Sequence, residues 1–320
     1  MTELQRYLAE EVAEDHADGI LTRREAMRRL GLLGLSGAVA SSMLASFPAS
    51  AESRRRKRRR APARHGASVE WAPVATEAIT FPGPRGTLLG AWAPAARPRG
   101  GILVIHENRG LNDHIRSVAG RLAAVGYSAL ALDLLSEEGG TDAIGDEAQV
   151  GAILASVPPE RFVSDMKAAV AELRRRLPKK ELAATGFCFG GGMVWLLLAS
   201  GERRLAAAAP FYGPFPQVGS LKGSKAAVLG VYGGLDDRVN ATRDAAQAAL
   251  EAARLRHKIV TFAGAEHAFF NDTGPRFNPA AAAEAYRRLV GWLNRFVDER
   301  GSGDHGRHDR GRHEDDEDDD

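Results

Sequence analysis

The run Gly186-Phe187-Cys188-Phe189-Gly190-Gly191 holds the only cysteine of this 320-residue chain. An apolar, strand-like stretch over 181–186 precedes it, and Met193 to Ala199 reads as a buried helix after it. The pattern G-x-nucleophile-x-G marks a sharp strand-to-helix elbow that lifts one side chain above the end of a sheet. Its glycines are required because the turn is strained and side chains there would strike the neighbouring helix and strands. One cysteine excludes an internal disulfide. A lone cysteine is ordinarily an inert, buried small hydrophobe, but at an elbow it stands where a nucleophile stands.

Around the elbow, strand and helix patterns alternate from about residue 74 to residue 300. Residues 74–81 and 86–93 flank Pro82-Gly83-Pro84 and predict an antiparallel hairpin. The apolar runs 101–105 and 127–132 predict strands covered on both faces. Residues 205–211, 226–232 and 257–262 predict three further buried strands. Helices are expected over 112–125, with Ile115, Val118, Leu122 and Val125 on one stripe, and over 161–177, 241–255 and 279–296. This alternation implies one α/β domain over 74–300, a mostly parallel central sheet with right-handed crossovers and helices on both faces. Hydrophobic residues, 44% of the chain, suffice for its core.

A thiol needs a base to become a thiolate, and the base needs a partner that fixes its tautomer. In the α/β-hydrolase fold the chain order is nucleophile, acid, histidine, each beyond its own strand. Here Asp236 and Asp237 follow the strand over 226–232, and His267 follows the strand over 257–262. Asp236 fits a G-x-x-D-x-x-V frame starting at Gly233, whereas Asp237 fits only with the frame shifted. The expected constellation is therefore Cys188, Asp236 and His267, with Asp237 facing solvent or capping the next helix. His106 reads as a hydrogen-bonded structural residue, His114 and His257 as surface groups, Trp195 and Trp292 as core, and Tyr212 as a candidate pocket residue. The body shows no metal-ligand cluster, no phosphate-cradling glycine motif and no internal repeat, so no cofactor is expected.

From about residue 77 to 298 the chain resembles the dienelactone hydrolases, the branch of the α/β-hydrolase fold with a Cys-His-Asp triad. The resemblance rests on G-F-C-F-G-G at the elbow, G-x-x-D-x-x-V at Gly233, G-A-x-H-A-F-x-N at Gly264 and Ile105-His106-Glu107-Asn108-Arg109-Gly110. It implies that Glu107 modulates ionisation of the thiol and that the backbone N–H groups of Asn108 and Phe189 form an oxyanion hole. The family's substrate-gripping arginines are replaced: Asn271 stands four residues after His267, and Glu137 four after Asp133. Arg109 and Arg116 are the cations available nearby. The expected activity is hydrolysis of a small carboxylic ester or lactone through an acyl-enzyme. A thioesterase or broad carboxylesterase on the same residues is the alternative enzyme. A non-catalytic envelope protein with charged arms on anionic polymers is the alternative outside enzymology.

The segments flanking the domain differ sharply from it. Residues 1–51 resemble a twin-arginine export signal, with a long polar region over 1–20, then Arg23-Arg24, a weakly apolar stretch from Leu30 to Phe47 and a small-x-small site, Ala49-Ser50-Ala51. Cleavage after Ala51 by this reading leaves a periplasmic or extracellular protein, with the twin-arginine export machinery as its transient partner. Glycines in the apolar stretch argue against a stable membrane span. Residues 52–73 carry an unbroken cationic run, 54–60, read as a solvated linker rather than a nucleic-acid or lipid site. Residues 301–320 contain His305, His308, His313 and an acidic end; they read as a disordered solubilising tail rather than a metal site. The net charge of +2 hides this asymmetry.

Overall fold

Apolar runs without alternation can satisfy their backbone only between neighbouring strands under helices on both faces, and they form the centre of this structure. The computed structural model describes residues 1–47, 72–217 and 220–298. Its strands are β1 (Glu77–Gly83), β2 (Gly86–Ala93), β3 (Gly100–Ile105), β4 (Tyr127–Asp133), β5 (Leu182–Phe187), β6 (Leu205–Phe211), β7 (Ala227–Gly233) and β8 (His257–Phe262). They form one sheet in the order β1-β2-β4-β3-β5-β6-β7-β8. The expected hairpin is present: β1 and β2 pair antiparallel from Glu77 opposite Trp92 to Gly83 opposite Gly86. From β4 onward every pairing is parallel.

Before the sheet come α1 (Glu3–Ala17), α2 (Arg23–Leu32) and α3 (Gly37–Ser46). Between and after the strands lie α4 (Asp113–Ala124), α5 (Thr141–Ile144), α6 (Glu147–Ser156), α7 (Pro159–Arg176), α8 (Phe189–Ala199), α9 (Asp237–Asn240), α10 (Arg243–Ala252) and α11 (Pro279–Phe296). The Asn112 side chain caps α4 by accepting from the Ile115 N–H at 3.2 Å, and Asn278 caps α11 in the same way. Helices α4 and α11 are tied together by the Tyr286 hydroxyl, which donates to the Arg121 carbonyl at 2.8 Å. Helices α7 and α8 meet through Phe162 edge-on to Phe189. Strands β6 and β7 are buried as expected, but β8 is half-exposed along its length. It ends the sheet order, so no further strand covers its outer edge.

The segment before residue 48 is folded into helices α1, α2 and α3. It packs on the sheet domain, with α2 and α1 against α6. Its first helix opens with a Thr2–Gln5 capping box. Leu4, Tyr7, Leu8 and Val12 make a stripe at helical spacing, and the last three are buried. In α2 the buried residues are Ala26 and Leu30, while Arg23 and Arg24 are exposed at its first turn. The cleavage site, the cationic run 54–60 and the tail 301–320 lie outside the described residues. Among the described residues no helix is long and apolar enough to cross a membrane.

His114, expected at the surface, is only 3% exposed. Its Nδ1 bonds the Asp272 carboxylate at 3.0 Å, and Arg121 of the same helix pairs with the other oxygen. The loop after β8 is thereby anchored to α4. The hydrogen bond from His114, with the Arg121 charge, holds the Asp272 carboxyl down at about 2. A folded-state pKa below the unfolded value of about 3.9 stabilises the fold above that value and ceases to do so as pH falls through the folded one. Asp272→Asn should therefore cost about 1–2 kcal/mol at neutral pH after solvent screening. Urea midpoints of the two proteins should converge between about pH 4 and pH 2; a gap that persists at the acid end would show that the charge is not responsible.

Candidate active site

The elbow is built by close backbone approach. A Cβ on Gly186 would lie 2.2 Å from the Gly190 carbonyl oxygen, and one on Gly190 would lie 2.4 Å from that of Ile105. With those side chains absent, α8 starts directly beneath the end of β3. Cys188 sits between β5 and α8 at φ 55°, a conformation that non-glycine residues rarely adopt. Its N–H is held by the Phe211 carbonyl at 3.0 Å. Phe189, the first residue of α8, has an N–H that the helix itself cannot use.

The acid and the histidine arrive on the loops beyond β7 and β8. Asp236 is fully buried and uses both oxygens: Oδ1 accepts from the Val239 N–H at 3.1 Å, capping α9, and Oδ2 meets His267 Nδ1 at 2.6 Å. Asp237 is exposed. Of the two places expected for Asp237, solvent and the helix cap, it takes solvent, and Asp236 makes the cap. Burial works against the Asp236 carboxylate, but the His267 imidazole holds it below its usual range. Burial likewise opposes charge on His267, yet Asp236 raises it well above the ordinary histidine value. The other ring nitrogen of His267, Nε2, is buried without a hydrogen-bond partner.

Glu107 lies on the loop after β3, 4% exposed. The residue at the missing arginine's position takes over that carboxylate: Asn271 Nδ2 donates to Glu107 Oε2 at 2.7 Å. Thr273 fixes the amide the right way round by donating to Asn271 Oδ1 from both its N–H and its hydroxyl. The Tyr212 hydroxyl reaches Glu107 Oε1 at 3.5 Å, and its ring lies edge-on to His267. Glu107, Asn108, Arg109, Cys188 and Asn271 line one cavity. His106 has the structural role expected of it, accepting from the Leu134 N–H and bonding the Glu107 carbonyl. Glu137 points away, to Arg85 and Arg161. Arg116 pairs with Asp142, and Arg109 with Glu147 at 2.6 Å.

Sequence reasoning missed Tyr7, Glu11, Arg238 and Arg276. Helix α1 lies across the site, and the Cys188 thiol donates to Glu11, whose two oxygens are 3.3 and 3.4 Å from Sγ. The Tyr7 hydroxyl is 3.4 Å from the same sulfur. Arg238 lies over the Tyr7 ring and pairs with Glu14, while Arg276 pairs with Asp15 and Asp18. The apolar stripe and capping box of α1 were a readable signal that this helix packs on something. Nothing in the order of residues marks the two arginines. Glu11, Cys188 and His267 also bring three ligand atoms within 4.8 Å of one another, a donor set of the kind that suits a soft divalent ion. Burial first, then the Glu11 charge, pushes the thiol up to about 11.

The dienelactone hydrolase family profile matches residues 89–297. Among similar proteins is a provisionally named carboxymethylenebutenolidase of Methylorubrum extorquens, 34% identical over 61% of this chain and 72% of its own length. Another, from Escherichia coli O157:H7, is 31% identical over 61% of this chain and 76% of its own. The crystal structure of a provisionally named dienelactone hydrolase from Klebsiella pneumoniae superposes with a TM-score of 0.61 at 27% identity, covering 69% of this chain and 98% of that one. A mostly parallel eight-stranded sheet, a strained strand-to-helix elbow at Cys188 and these likenesses agree that the chain belongs to the dienelactone hydrolase family and is a carboxylic ester hydrolase of the carboxymethylenebutenolidase kind.

Proposed function

We propose that this protein is an exported hydrolase of small carboxylic esters or lactones that works through Cys188, His267, Asp236 and an acyl-enzyme. The observation that carries the reading is the His267 ring. Asp236 holds its Nδ1 at 2.6 Å, leaving Nε2 as the nitrogen available to the thiol. In the first half-reaction Nε2 takes the thiol proton as Sγ attacks the substrate carbonyl. The N–H groups of Phe189 and Asn108 are the donors for the oxyanion of the tetrahedral intermediate. Collapse breaks the bond to the alkoxide, which leaves with the proton from Nε2, and the acyl group remains on sulfur. Water then attacks the thioester, again giving its proton to Nε2, and the acid departs as the thiol is reformed.

Asn271 and Tyr212 hold Glu107 beside this chemistry, which supports its role as the carboxylate that tunes the thiol. Their neutral grip on Glu107, with Glu137 turned to Arg85, supports a substrate range set less by the family's paired arginines than by the ester itself. For export, the supporting observation is that Arg23 and Arg24 are exposed at the start of α2, open to a recognition partner.

In the form cut after Ala51, Cys188→Ala should abolish turnover of p-nitrophenyl esters, and iodoacetamide should modify that form once, at Cys188. Full esterase activity in Cys188→Ala would move the nucleophile elsewhere and favour the non-catalytic reading of this site. Asp236→Asn should lower kcat by around ten-thousandfold with the fold intact, whereas Asp237→Asn should match the parent; the opposite ranking would shift the acid by one residue. Replacing Arg23 and Arg24 together by lysine should leave uncut precursor in the cytoplasm of a bacterial host. Undiminished periplasmic yield would exclude twin-arginine export.

A further inference from the structure

With α1 in place no substrate can reach the thiol. Cys188 and His267 are 2% and 1% exposed, and the cavity beside them measures about 30 Å³, room for one or two water molecules. What occupies the space over Sγ is a carboxylate, the functional group of the reaction's own product, delivered by Glu11 on a helix. We propose that α1 is a tethered inhibitor of this active site, so that the full chain is a silent precursor until the segment before residue 52 is removed.

The fit is chemical as well as steric. Tyr7, Leu8 and Val12 supply the buried apolar stripe, and Glu11 and Asp15 extend the same face as buried acids. Each acid along that face meets a donor or cation of the body: Glu11 the thiol, Glu14 Arg238, Asp15 and Asp18 Arg276. Arg276, 6% exposed, lines the cavity that holds Cys188. The helix thus occupies at once the nucleophile, the space above it and a buried cation that lines the cavity. Glu11 also acts on the thiol directly, because a neighbouring carboxylate raises the cost of forming a thiolate, and the thiolate is the nucleophile. The inhibiting helix and the exposed Arg23 and Arg24 lie on consecutive helices. A single cut after Ala51 would remove both, confining hydrolysis to the far side of the membrane. That last consequence rests on the export reading; the inhibition itself does not.

The test uses the full chain carrying Glu14→Arg, Asp15→Arg and Asp18→Arg, which set like charges against Arg238 and Arg276. Iodoacetamide should alkylate Cys188 at least tenfold faster than in the parent, and p-nitrophenyl acetate turnover should rise with it. Glu11→Ala, which leaves those ion pairs in place, is the second variant, and should raise both rates several-fold. A cooperative thermal transition near the parent's establishes that each variant is folded. Unchanged alkylation in a folded charge-reversal protein, or a tenfold fall in turnover in folded Glu11→Ala, would overturn the proposal. The latter would make α1 a working part of the site. Faster alkylation without any ester turnover would leave the inhibitor standing and sink the hydrolase reading instead.

Discussion

The backbone contact between the elbow and the end of β3 governs everything near the thiol. Gly190 must lie against the carbonyls of Ile105 and His106, and Gly186 against Gly190, or α8 cannot start where it does. That approach forces Cys188 to φ 55° and turns its side chain out of the β5 strand toward the loops after β3, β7 and β8. The cost of the strained residue, on the order of 1–3 kcal/mol, is offset by a position that ordinary helix or strand geometry would not give. The same placement leaves the Phe189 N–H at a helix start, with Asn108 on the neighbouring loop.

Around that fixed point, charge is managed by close partners rather than by solvent. Asp236 and His267 are buried, which alone disfavours charge on either, and at 2.6 Å each favours the charged form of the other. Glu107, likewise buried, keeps partners in Asn271 and Tyr212. Losing the family's arginine therefore does not strand the glutamate; an amide, oriented by Thr273, satisfies it without adding a positive charge.

Helix α1 changes the balance of the site. It brings a carboxylate to a thiol that burial already keeps protonated. It also pairs its acids with Arg238 and with Arg276, which lines the cavity. The ion pairs there are largely buried, so each partner depends on the other; an uncompensated charge in that position costs about 3–5 kcal/mol. Docking of the helix and quiescence of the thiol are in this way one electrostatic event.

The sheet, the elbow and the Cys188, Asp236, His267 set were legible because they depend on local patterns. Apolar runs set the strands, glycines at fixed offsets set the elbow, and the chain order of strand-end loops set the acid and histidine. The frame at Gly233 singles out Asp236, the carboxylate that His267 Nδ1 meets. What the sequence left open depended on contacts between distant segments. The acids of 1–20 carry no partner in the order of residues, and only the folded chain supplies the thiol and arginines that they meet. His114 looked like a surface histidine until Asp272 came across from the loop after β8. The edge position of β8 follows from sheet order, and Arg276 reaches the site only because its loop folds back onto α1. Local chemistry was determined by neighbouring residues along the chain; which charges face each other was decided by tertiary structure, because electrostatic partnership depends on distance in space and not on separation in sequence.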